Sequence, residues 1–534
     1  MTLLRFFVLS FLSGILLALA WVPHGFTPLI FIAFIPLLYV ESELVASLKS
    51  GKWLMVIGAY VTFFVWNLLT TWWMTNASME GGAFAIACNS MFMTVVFMLA
   101  HRAKNRIGDW WSGVIFISFW MSFELLHHRW DLDDPWLTLG NVFAAHVNWV
   151  QWYEYTGVLG GSFWVLFFNA SLFKALKNKR FDFVQFVKSK SALRHTLYII
   201  IPISVSYYIQ HSIVPDRGVP INVIVVQPNV DPYNEKFSAS HQQQLNKMLS
   251  LASEKLGDST DYVVFPETAL TEYMWERGIE NASSIRSIRA FLDTLPNLNF
   301  ITGASTAKIF EEGEPLSSTA RKFKQADMYY DSYNTALQLK KGMPLQLYHK
   351  SKLVAGVEKM PLQFIFKYLE NFTIDLGGIS GSLGIQEERT VLYDSTKGIG
   401  TAPVICYESV FGEHVSDYIK NGAGFISLIT NDGWWGDTPG YKQHLAYGSL
   451  RAIETRRWIA RSANTGTSCF VDPFGIIIKA TEYWQEAVIS HTIYSNNRIT
   501  FYTKYGDLIG WVFVPISLLL LLYSQLIRFR VIKK

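Results

Sequence analysis

Long apolar stretches occupy both ends of the chain, whereas short apolar runs alternate with amphipathic ones in the middle. Most of the terminal stretches approach the roughly 20 residues that an α-helix needs to cross a bilayer. We therefore predict a multi-span helical membrane region of eight transmembrane helices, seven of them before residue 214. The predicted spans are residues 3–22, 27–40, 53–73, 83–100, 110–126, 156–176, 193–213 and 509–527.

The middle of the chain has the patterns of a layered domain. Runs rich in β-branched and aromatic residues predict strands, and amphipathic runs with helical spacing predict helices. The predicted strands are 221–226, 262–265, 298–303, 333–339, 345–350, 402–405, 425–430 and 467–471, and the predicted helices are 240–256, 285–293, 409–420 and 441–457. This alternation predicts an α/β domain, and about 290 residues can bury a sizeable core. The predicted domains are a seven-helix membrane domain (1–213), the α/β domain (214–505), and an eighth span with a tail (506–534).

The composition supports membrane insertion of the terminal stretches. Half of the residues are hydrophobic and 16% are charged, against roughly 25% charged residues in an average soluble domain. The net charge of +4 on 534 residues is too small to indicate a nucleic-acid partner. No basic stripe with interleaved aromatic residues accompanies it, so we predict no nucleic-acid binding.

Lysine and arginine residues lie in alternate loops of the predicted membrane region. These loops and the C-terminal tail carry Lys49, Lys52, Arg102, Lys104, Arg106, Lys174, Lys177, Lys179, Arg180, Lys188, Lys190, Arg194, Arg528, Arg530, Lys533 and Lys534. The loops between them contain a single lysine or arginine, namely Arg129. Because basic loops stay in the cytoplasm, this distribution predicts that the α/β domain lies on the outer side.

Cys406 is the candidate nucleophile, because it ends a β-type run and helix-compatible sequence follows it. A strand-to-helix turn of this kind presents a side chain at a sheet edge. A single cysteine in an apolar run is more often a small buried hydrophobic residue. The other two cysteines, Cys88 and Cys469, fall in a predicted span and a predicted core strand. An odd number without a spacing pattern argues against a disulfide framework.

Glu267 and Lys350 end two further β-type runs in the same way. If the three runs are neighbouring parallel strands, their ends lie along one sheet edge and these residues converge there. A carboxylate base, an ammonium group and a thiol are the groups that nucleophilic acyl chemistry needs. The alternative for Glu267 is a solvated loop carboxylate or a helix N-cap. Lys350 has lysine neighbours in a region where most such side chains are solvated.

Three short blocks resemble the motifs of one enzyme superfamily. Phe-Pro-Glu-Thr at 265–268, Tyr-His-Lys at 348–350 and Ile-Cys-Tyr-Glu at 405–408 resemble the Glu, Lys and Cys motifs of the nitrilase, or carbon-nitrogen hydrolase, superfamily. Together with the predicted spans, the chain resembles its apolipoprotein N-acyltransferase family over nearly its whole length. The resemblance implies a nitrilase-like αββα sandwich and a catalytic triad of Glu267, Lys350 and Cys406.

The resemblance also implies accessory and substrate-contacting residues. The accessory residues are Glu358, Glu408 and Tyr407, and the substrate-contacting residues are Asn334, Trp434, Trp435 and Phe237. Val357 stands where the family has a glycine before its accessory glutamate. A double tryptophan beside a turn is more often packing, although indole rings also suit the boundary between headgroups and acyl chains.

The polar and aromatic loop at 124–136 allows two interpretations. Glu124, Arg129, Pro135 and Trp136 resemble family positions, which favours a substrate-proximal arm. The pair of aspartates before Pro135 departs from that pattern. The other interpretation is an aromatic belt at the membrane interface.

By resemblance, the function is that of an inner-membrane acyltransferase with its site in the periplasm. The implied donor is a phospholipid, with phosphatidylethanolamine as the expected one, and the acceptor is the amino terminus of a diacylated apolipoprotein. We expect a monomer that needs no cofactor. We also expect no metal site, because the histidines lack the spacing of metal ligands. A membrane-tethered amidase with the same triad is the alternative. A transporter or ligand-binding protein is disfavoured, because the spans lack an obvious pair of charged or broken midplane helices.

Overall fold

The computed structural model describes residues 3–44, 51–213, 218–236, 238–359 and 382–529. The chain divides into two compact units, one formed by Met1–Ile213 with Tyr505–Lys534 and the other by Val214–Lys504.

The first unit is helical. Its helices are α1 (Leu3–Leu19), α2 (Ile35–Tyr39), α3 (Gly51–Thr71), α4 (Met74–Ala77), α5 (Met79–Ile107), α6 (Ser112–His127), α7 (Tyr153–Asn178), α8 (Phe183–Val187), α9 (Lys190–Ser212) and the C-terminal helix (Leu508–Arg528). In the described part of the chain, four helices are long and apolar enough to cross a membrane, namely Trp53–Thr71, Met79–Ile107, Tyr153–Asn178 and Leu508–Arg528. Eight crossings therefore remain a prediction.

The second predicted span differs from a continuous α-helix. A 3-10 turn at Thr27–Phe31 precedes α2, and a π-type turn at Val40–Leu44 follows it. Proline occupies one of the first two positions of both the 3-10 turn and α2. Because proline has no N–H group and restricts the residue before it, it starts a new helical segment more easily than it continues one.

The loop after α6 is packed inside the helical unit rather than extended. It contains 3-10 turns at Pro135–Leu137, Leu139–Ala145 and Val147–Trp149. Glu124 is buried and accepts hydrogen bonds from the backbone N–H of Leu139 at 2.9 Å and from the Trp120 indole at 3.0 Å. Arg129 pairs with Asp507 at 2.9 Å. These contacts give the loop a structural role, and a substrate role stays a prediction.

The second unit contains fourteen strands in the described residues, arranged in two sheets. They are β1 (Pro220–Gln227), β2 (Tyr262–Val264), β3 (Leu270–Trp275), β4 (Asn299–Ile309), β5 (Arg321–Lys322), β6 (Tyr329–Leu339), β7 (Gln346–His349), β8 (Leu392–Asp394), β9 (Ile399–Ile405), β10 (Ala423–Thr430), β11 (Ile459–Ala463), β12 (Cys469–Val471), β13 (Ile477–Ile478) and β14 (Ala487–Tyr494). The helices are α10 (His241–Ser253), α11 (Ser283–Leu292), α12 (Gly412–Lys420) and α13 (Pro439–Thr455). A short helix, α14 (Phe501–Tyr505), ends with the first residue of the C-terminal part of the helical unit.

The two sheets face each other and helices cover their outer sides. The first sheet has the order β14-β1-β2-β4-β6-β5, with β3 also paired to β4 and β7 to β6, and the second has the order β13-β12-β11-β10-β9-β8. Along β1, Val223 and Val225 join a core shared with the second sheet, whereas Ile224 and Val226 join a core shared with α10 and α11. This alternation follows from the period of two in a strand. Since α12 packs on β9 and β10, the predicted α/β domain is confirmed with αββα layering.

Candidate active site

Glu267 lies shortly after β2 and is 6% exposed. Its Oε1 accepts hydrogen bonds from Asn334 Nδ2 at 2.8 Å and Lys350 Nζ at 3.1 Å, and its Oε2 accepts one from the backbone N–H of Asn431 at 3.0 Å. Three donors therefore fix the orientation of this carboxylate. A hydrogen-bonded buried carboxylate is suited to receive and return a proton at a defined position.

Lys350 directly follows β7 and is 1% exposed. Its ammonium group donates to Glu267 at 3.1 Å and to Glu358 at 2.8 Å. Burial alone would lower the pKa of Lys350, but the negative charges of Glu267 and Glu358 raise it well above its usual value. Lys350 is thus a permanent cation at the site.

Asn334 on β6 links the two carboxylates, because its amide also donates to Glu358 at 3.1 Å. The other carboxylate oxygen of Glu358 accepts from the backbone N–H of Val354 at 2.9 Å. In this turn the left-handed residue is Gly356, at φ +81°, and Val357 has a negative φ. The valine is therefore tolerated, because the glycine one position earlier supplies the conformation that valine resists.

Cys406 is the first residue after β9, and it is 7% exposed. Its φ is +49°, a left-handed value that is uncommon for a residue with a Cβ. The backbone carbonyl of Cys406 accepts from Ser409 Oγ at 2.8 Å, and His444 Nε2 lies 3.1 Å from it. These contacts hold the strained turn that begins at the cysteine.

Burial raises the pKa of the Cys406 thiol, and the nearby charge of Glu267 raises it further, against the opposing effect of Lys350. The resting side chain is therefore the protonated thiol. A neighbouring base is needed to generate the nucleophilic thiolate. Glu267 is close enough to act on the thiol electrostatically and is the carboxylate with the largest such effect.

Glu408 is fully buried and joins the ends of two strands from different sheets. Its carboxylate accepts from the backbone N–H of Ile405 at 2.9 Å, immediately before Cys406, and from that of Ser351 at 2.7 Å, immediately after Lys350. This geometry makes Glu408 a residue that positions the other two.

The electrostatics of Glu408 agree with that role. Burial would raise its pKa, but His414 and the hydrogen bonds from Tyr348 and Ser351 lower it to about 2. The Tyr348 hydroxyl donates to it at 2.6 Å. Glu408 is therefore ionised across the neutral range and is a fixed acceptor rather than a proton carrier.

A second buried network contacts the cysteine turn through His444. Asp432 accepts from Thr430 Oγ1 at 2.8 Å, lies 2.9 Å from His444 Nδ1, and pairs with Arg461. Burial would raise the pKa of Asp432, but the charge of Arg461 and the contacts of His444 lower it to about 2. Cys406, Asp432 and His444 each have a side-chain atom of a type that can bind a metal ion, and these three atoms lie within 4.8 Å of one another. The hydrogen bonds and ion pair already satisfy this carboxylate.

Lys236 is a second buried lysine near Glu267, and the sequence patterns did not single it out. It is 4% exposed, and its ammonium group donates to the hydroxyl of Thr268. In the orientation of the Asn431 side-chain amide that allows hydrogen bonds to its neighbours, the amide oxygen lies 3.2 Å from Lys236 Nζ. Burial lowers the pKa of Lys236 to about 8, against the opposing effect of Glu267.

Of the predicted aromatic residues, Trp434 and Trp435 are partly buried and Tyr407 is buried. The Trp434 ring packs edge-on against Tyr233 at 5.1 Å, and the Trp435 ring packs against His444 at 5.6 Å. Tyr407 packs edge-on against Phe411 at 5.2 Å. Phe237 lies outside the described residues. Contact of these side chains with substrate stays a prediction.

The strand arrangement that brings Glu267, Lys350 and Cys406 together differs from the predicted one. They do not end neighbouring parallel strands, because β2 and β7 belong to the first sheet and β9 to the second. Within the first sheet, β7 pairs with β6 and is not adjacent to β2. The sequence predicts where strands end, but long-range pairing decides which sheet each strand joins.

Comparison with known proteins defines the class and then the family. Residues 223–500, about half of the chain, match the family described as carbon-nitrogen hydrolase, so the α/β unit is a domain of that class. Residues 13–171 match the apolipoprotein N-acyltransferase N-terminal domain. Apolipoprotein N-acyltransferase from Chlorobaculum tepidum is 31% identical over 96% of this chain and 95% of its own length. The chain belongs to the apolipoprotein N-acyltransferase family and is an enzyme.

Further similarities extend the comparison. Apolipoprotein N-acyltransferase from Geobacter metallireducens is 26% identical over 96% of this chain and 93% of its own length. Among solved structures, Saccharomyces cerevisiae Nit3, a member of branch 10 of the nitrilase superfamily, is similar at 15% identity and a TM-score of 0.38. That similarity covers 54% of this chain and 94% of Nit3.

Proposed function

We propose that this protein transfers an acyl chain from a phospholipid to the amino terminus of a diacylated apolipoprotein through a thioester on Cys406. The observation that carries the proposal is the buried contact between Lys350 and Glu267 beside the strained Cys406 turn. Membership of the family supports the choice of substrates. We propose phosphatidylethanolamine as the donor and a monomer as the working form.

In the first half-reaction, Glu267 takes the proton of the Cys406 thiol, and the thiolate attacks the ester carbonyl of the phospholipid. The tetrahedral oxyanion is stabilised by the ammonium group of Lys350. The carbon–oxygen bond then breaks, and Glu267 returns the proton to the leaving oxygen. The products are an acyl thioester and a lysophospholipid.

In the second half-reaction, the neutral amine of the apolipoprotein attacks the thioester carbonyl. Glu267 accepts a proton from the attacking nitrogen, the carbon–sulfur bond breaks, and the proton passes to the leaving Cys406 sulfur. The products are an amide and the free thiol, so atoms and charge balance over the cycle. Trp434 and Trp435 are proposed to contact the acyl chain and limit access of water.

We further propose eight membrane crossings, with domains at 1–213, 214–505 and 506–534 and the catalytic domain in the periplasm. The alternation of basic loops supports this topology. Exposing an acyl chain to water costs about 0.8 kcal/mol per CH₂ group, so a membrane tether favours a lipid substrate. In a cysteine-free background, Glu312→Cys should react with an impermeant maleimide in intact cells and Arg194→Cys should not. The reverse labelling would refute the topology.

A membrane-tethered amidase would use the same residues, so the test must separate transfer from hydrolysis. We expect phospholipid alone to release lysophospholipid in a single burst of about one equivalent per enzyme, because water is excluded from the thioester. A diacylated lipopeptide with a free amino terminus should then discharge the acyl group as an amide. Cys469→Ala, which alters another buried cysteine of the same unit, is the matched control and should keep the burst.

Continuous release of free fatty acid without an acceptor would instead support the tethered hydrolase. Failure of the lipopeptide to collect the acyl group would do the same. An acetylated lipopeptide, which lacks the nucleophilic amine, checks that discharge requires the amino terminus.

A further inference from the structure

A basic groove lies within the helical unit, where α5 and the C-terminal helix end. Its volume is about 370 Å³. Three arginines line it, Arg102 and Arg106 from α5 and Arg528 from the C-terminal helix. Leu99 and Leu521 supply an apolar wall. The groove therefore combines a cationic part with an apolar part.

The described residues that line this groove include three arginines and no acidic side chain. Over the part of the chain that the structure describes, none of the three guanidinium groups pairs with a carboxylate. Arg106 Nη1 donates instead to Ser524 Oγ, a groove residue, at 3.3 Å. By contrast, Lys104 on the same helix is paired with Glu41.

Helix dipoles do not account for this arrangement by themselves. A C-terminal helix end favours a nearby cation by about 0.3–1 kcal/mol, which explains basic residues at each end separately. It does not require three guanidinium groups to line one cavity, where their like charges repel one another, with screening by solvent at the exposed Arg102 and Arg528. An anion in the groove would remove that repulsion.

The two helices that line the groove are suited to a lipid environment. α5 and the C-terminal helix are two of the four helices long and apolar enough to span a membrane. On the C-terminal helix, Leu518, Leu519 and Leu522 are 62%, 66% and 57% exposed. Exposed leucines on a helix whose end lines a cationic cavity match acyl chains that lie below a charged headgroup.

We propose that this groove binds the phosphate of an anionic phospholipid, of the phosphatidylglycerol type, as a bound lipid that is not the acyl donor. Guanidinium groups bind phosphate through paired hydrogen bonds, and basic pockets between membrane helices hold lipid headgroups. Ser524 and Gln525 supply neutral donors beside the arginines. The inference does not rest on the proposed acyl transfer, because the groove shares no residue with the catalytic site.

The test uses the full-length protein purified in a neutral detergent. Phosphatidylglycerol, phosphatidylcholine and inorganic phosphate are added separately, and bound lipid is measured by native mass spectrometry alongside the thermal unfolding midpoint. Phosphatidylglycerol should be retained and should raise the midpoint, whereas phosphatidylcholine and inorganic phosphate should not. The triple variant R102Q/R106Q/R528Q should bind phosphatidylglycerol about a hundredfold more weakly.

A matched control variant removes the same charge elsewhere. Lys188, Lys190 and Arg194 are exposed basic residues that do not line the groove, so K188Q/K190Q/R194Q should retain the lipid. If the triple groove variant does not fold, the single exposed substitution Arg528→Gln should still weaken binding. Equal protection by inorganic phosphate, equal loss in the control variant, or unchanged binding in the groove variants would overturn the proposal.

Discussion

Two buried lysines lie near Glu267, and the protein perturbs them in opposite directions. Two carboxylates raise the pKa of Lys350 well above its usual value, whereas burial lowers the pKa of Lys236 to about 8. At pH 7 both are protonated. The charge on Lys236 is therefore maintained at a cost to the folded state, which makes this residue a candidate for a role in turnover rather than in stability.

We predict that Lys236→Met stabilises the fold at pH 7 and lowers acyl transfer. The folded pKa lies below the usual value, so the penalty is complete below pH 8 and decreases as pH rises towards 10.5. Removing the charge should raise the free energy of unfolding by up to about 3 kcal/mol at neutral pH. Transfer should fall by about tenfold, because the cation near Glu267 is lost.

Denaturant unfolding and transfer assays at pH 7 and pH 10 measure both effects. Lys255→Met, at an exposed position of the same unit, is the control and should change neither quantity appreciably. A destabilisation by Lys236→Met that is equal at both pH values would contradict this account.

At the residue scale, short motifs predict the triad but not the groups that support it. Glu267, Lys350 and Cys406 each stand in a recognisable block. Lys236 and Arg461 do not, because their partners Thr268 and Asp432 lie 32 and 29 residues away in the chain. Such contacts depend on which strands pack together, and a single sequence carries no spacing signal for them.

At the scale of elements, the Glu408 carboxylate connects the ends of β7 and β9 by hydrogen bonds. Two of its backbone donors, Ser351 and Ile405, are direct neighbours of Lys350 and Cys406, and the two strands belong to different sheets. In the described residues no backbone ladder joins the two sheets, so their spacing depends on side chains, namely on the shared apolar core and on contacts such as those of Glu408.

We predict that Glu408→Gln destabilises the catalytic unit and reduces its sensitivity to acid. The folded pKa of about 2 lies below the ordinary value of 4.5, so the stabilisation is complete above pH 4.5 and is lost as pH falls towards 2. Its size is about 3 kcal/mol. The variant should therefore unfold at lower denaturant concentration at pH 7 and show a flatter stability profile between pH 4.5 and 2.

Tryptophan fluorescence during denaturant titration at several pH values measures this profile. Glu482→Gln, an exposed carboxylate in the same unit, is the control and should follow the wild-type curve. Parallel acid profiles for wild type and Glu408→Gln would show that Glu408 does not supply the pH-dependent stability.

The pattern of polar and apolar residues predicts some elements better than others. β9 and β10 are buried throughout and were predicted as strands. β14 was missed because most of its side chains are only partly buried, and β11 because its short segment Ile-Ala-Arg-Ser-Ala contains a buried arginine. Periodicity therefore finds strands with apolar cores and fails where a polar network occupies the sheet.

At the scale of the whole molecule, the chain combines apolar helices with a carbon-nitrogen hydrolase domain. Composition predicts membrane helices at the two ends and a soluble middle, because the charged residues are depleted overall and the apolar stretches are at the ends. The hydrolase class of the middle is predicted by three short motifs and not by composition. The number of crossings does not follow from composition. Among the described helices, α6 and α9 overlap predicted spans but do not meet the length and hydropathy of the four long apolar helices.

The central claim is that the acyl group passes through a thioester on Cys406, and the most direct measurement is to find it there. Full-length protein incubated with phospholipid alone would be digested and its acylated peptides identified by mass spectrometry, with and without neutral hydroxylamine, which cleaves thioesters. We predict a hydroxylamine-sensitive acyl mass on the peptide containing Cys406, absent in Cys406→Ala and retained in Cys469→Ala. An adduct on Cys88 or Cys469, or one that persists in Cys406→Ala, would contradict the account.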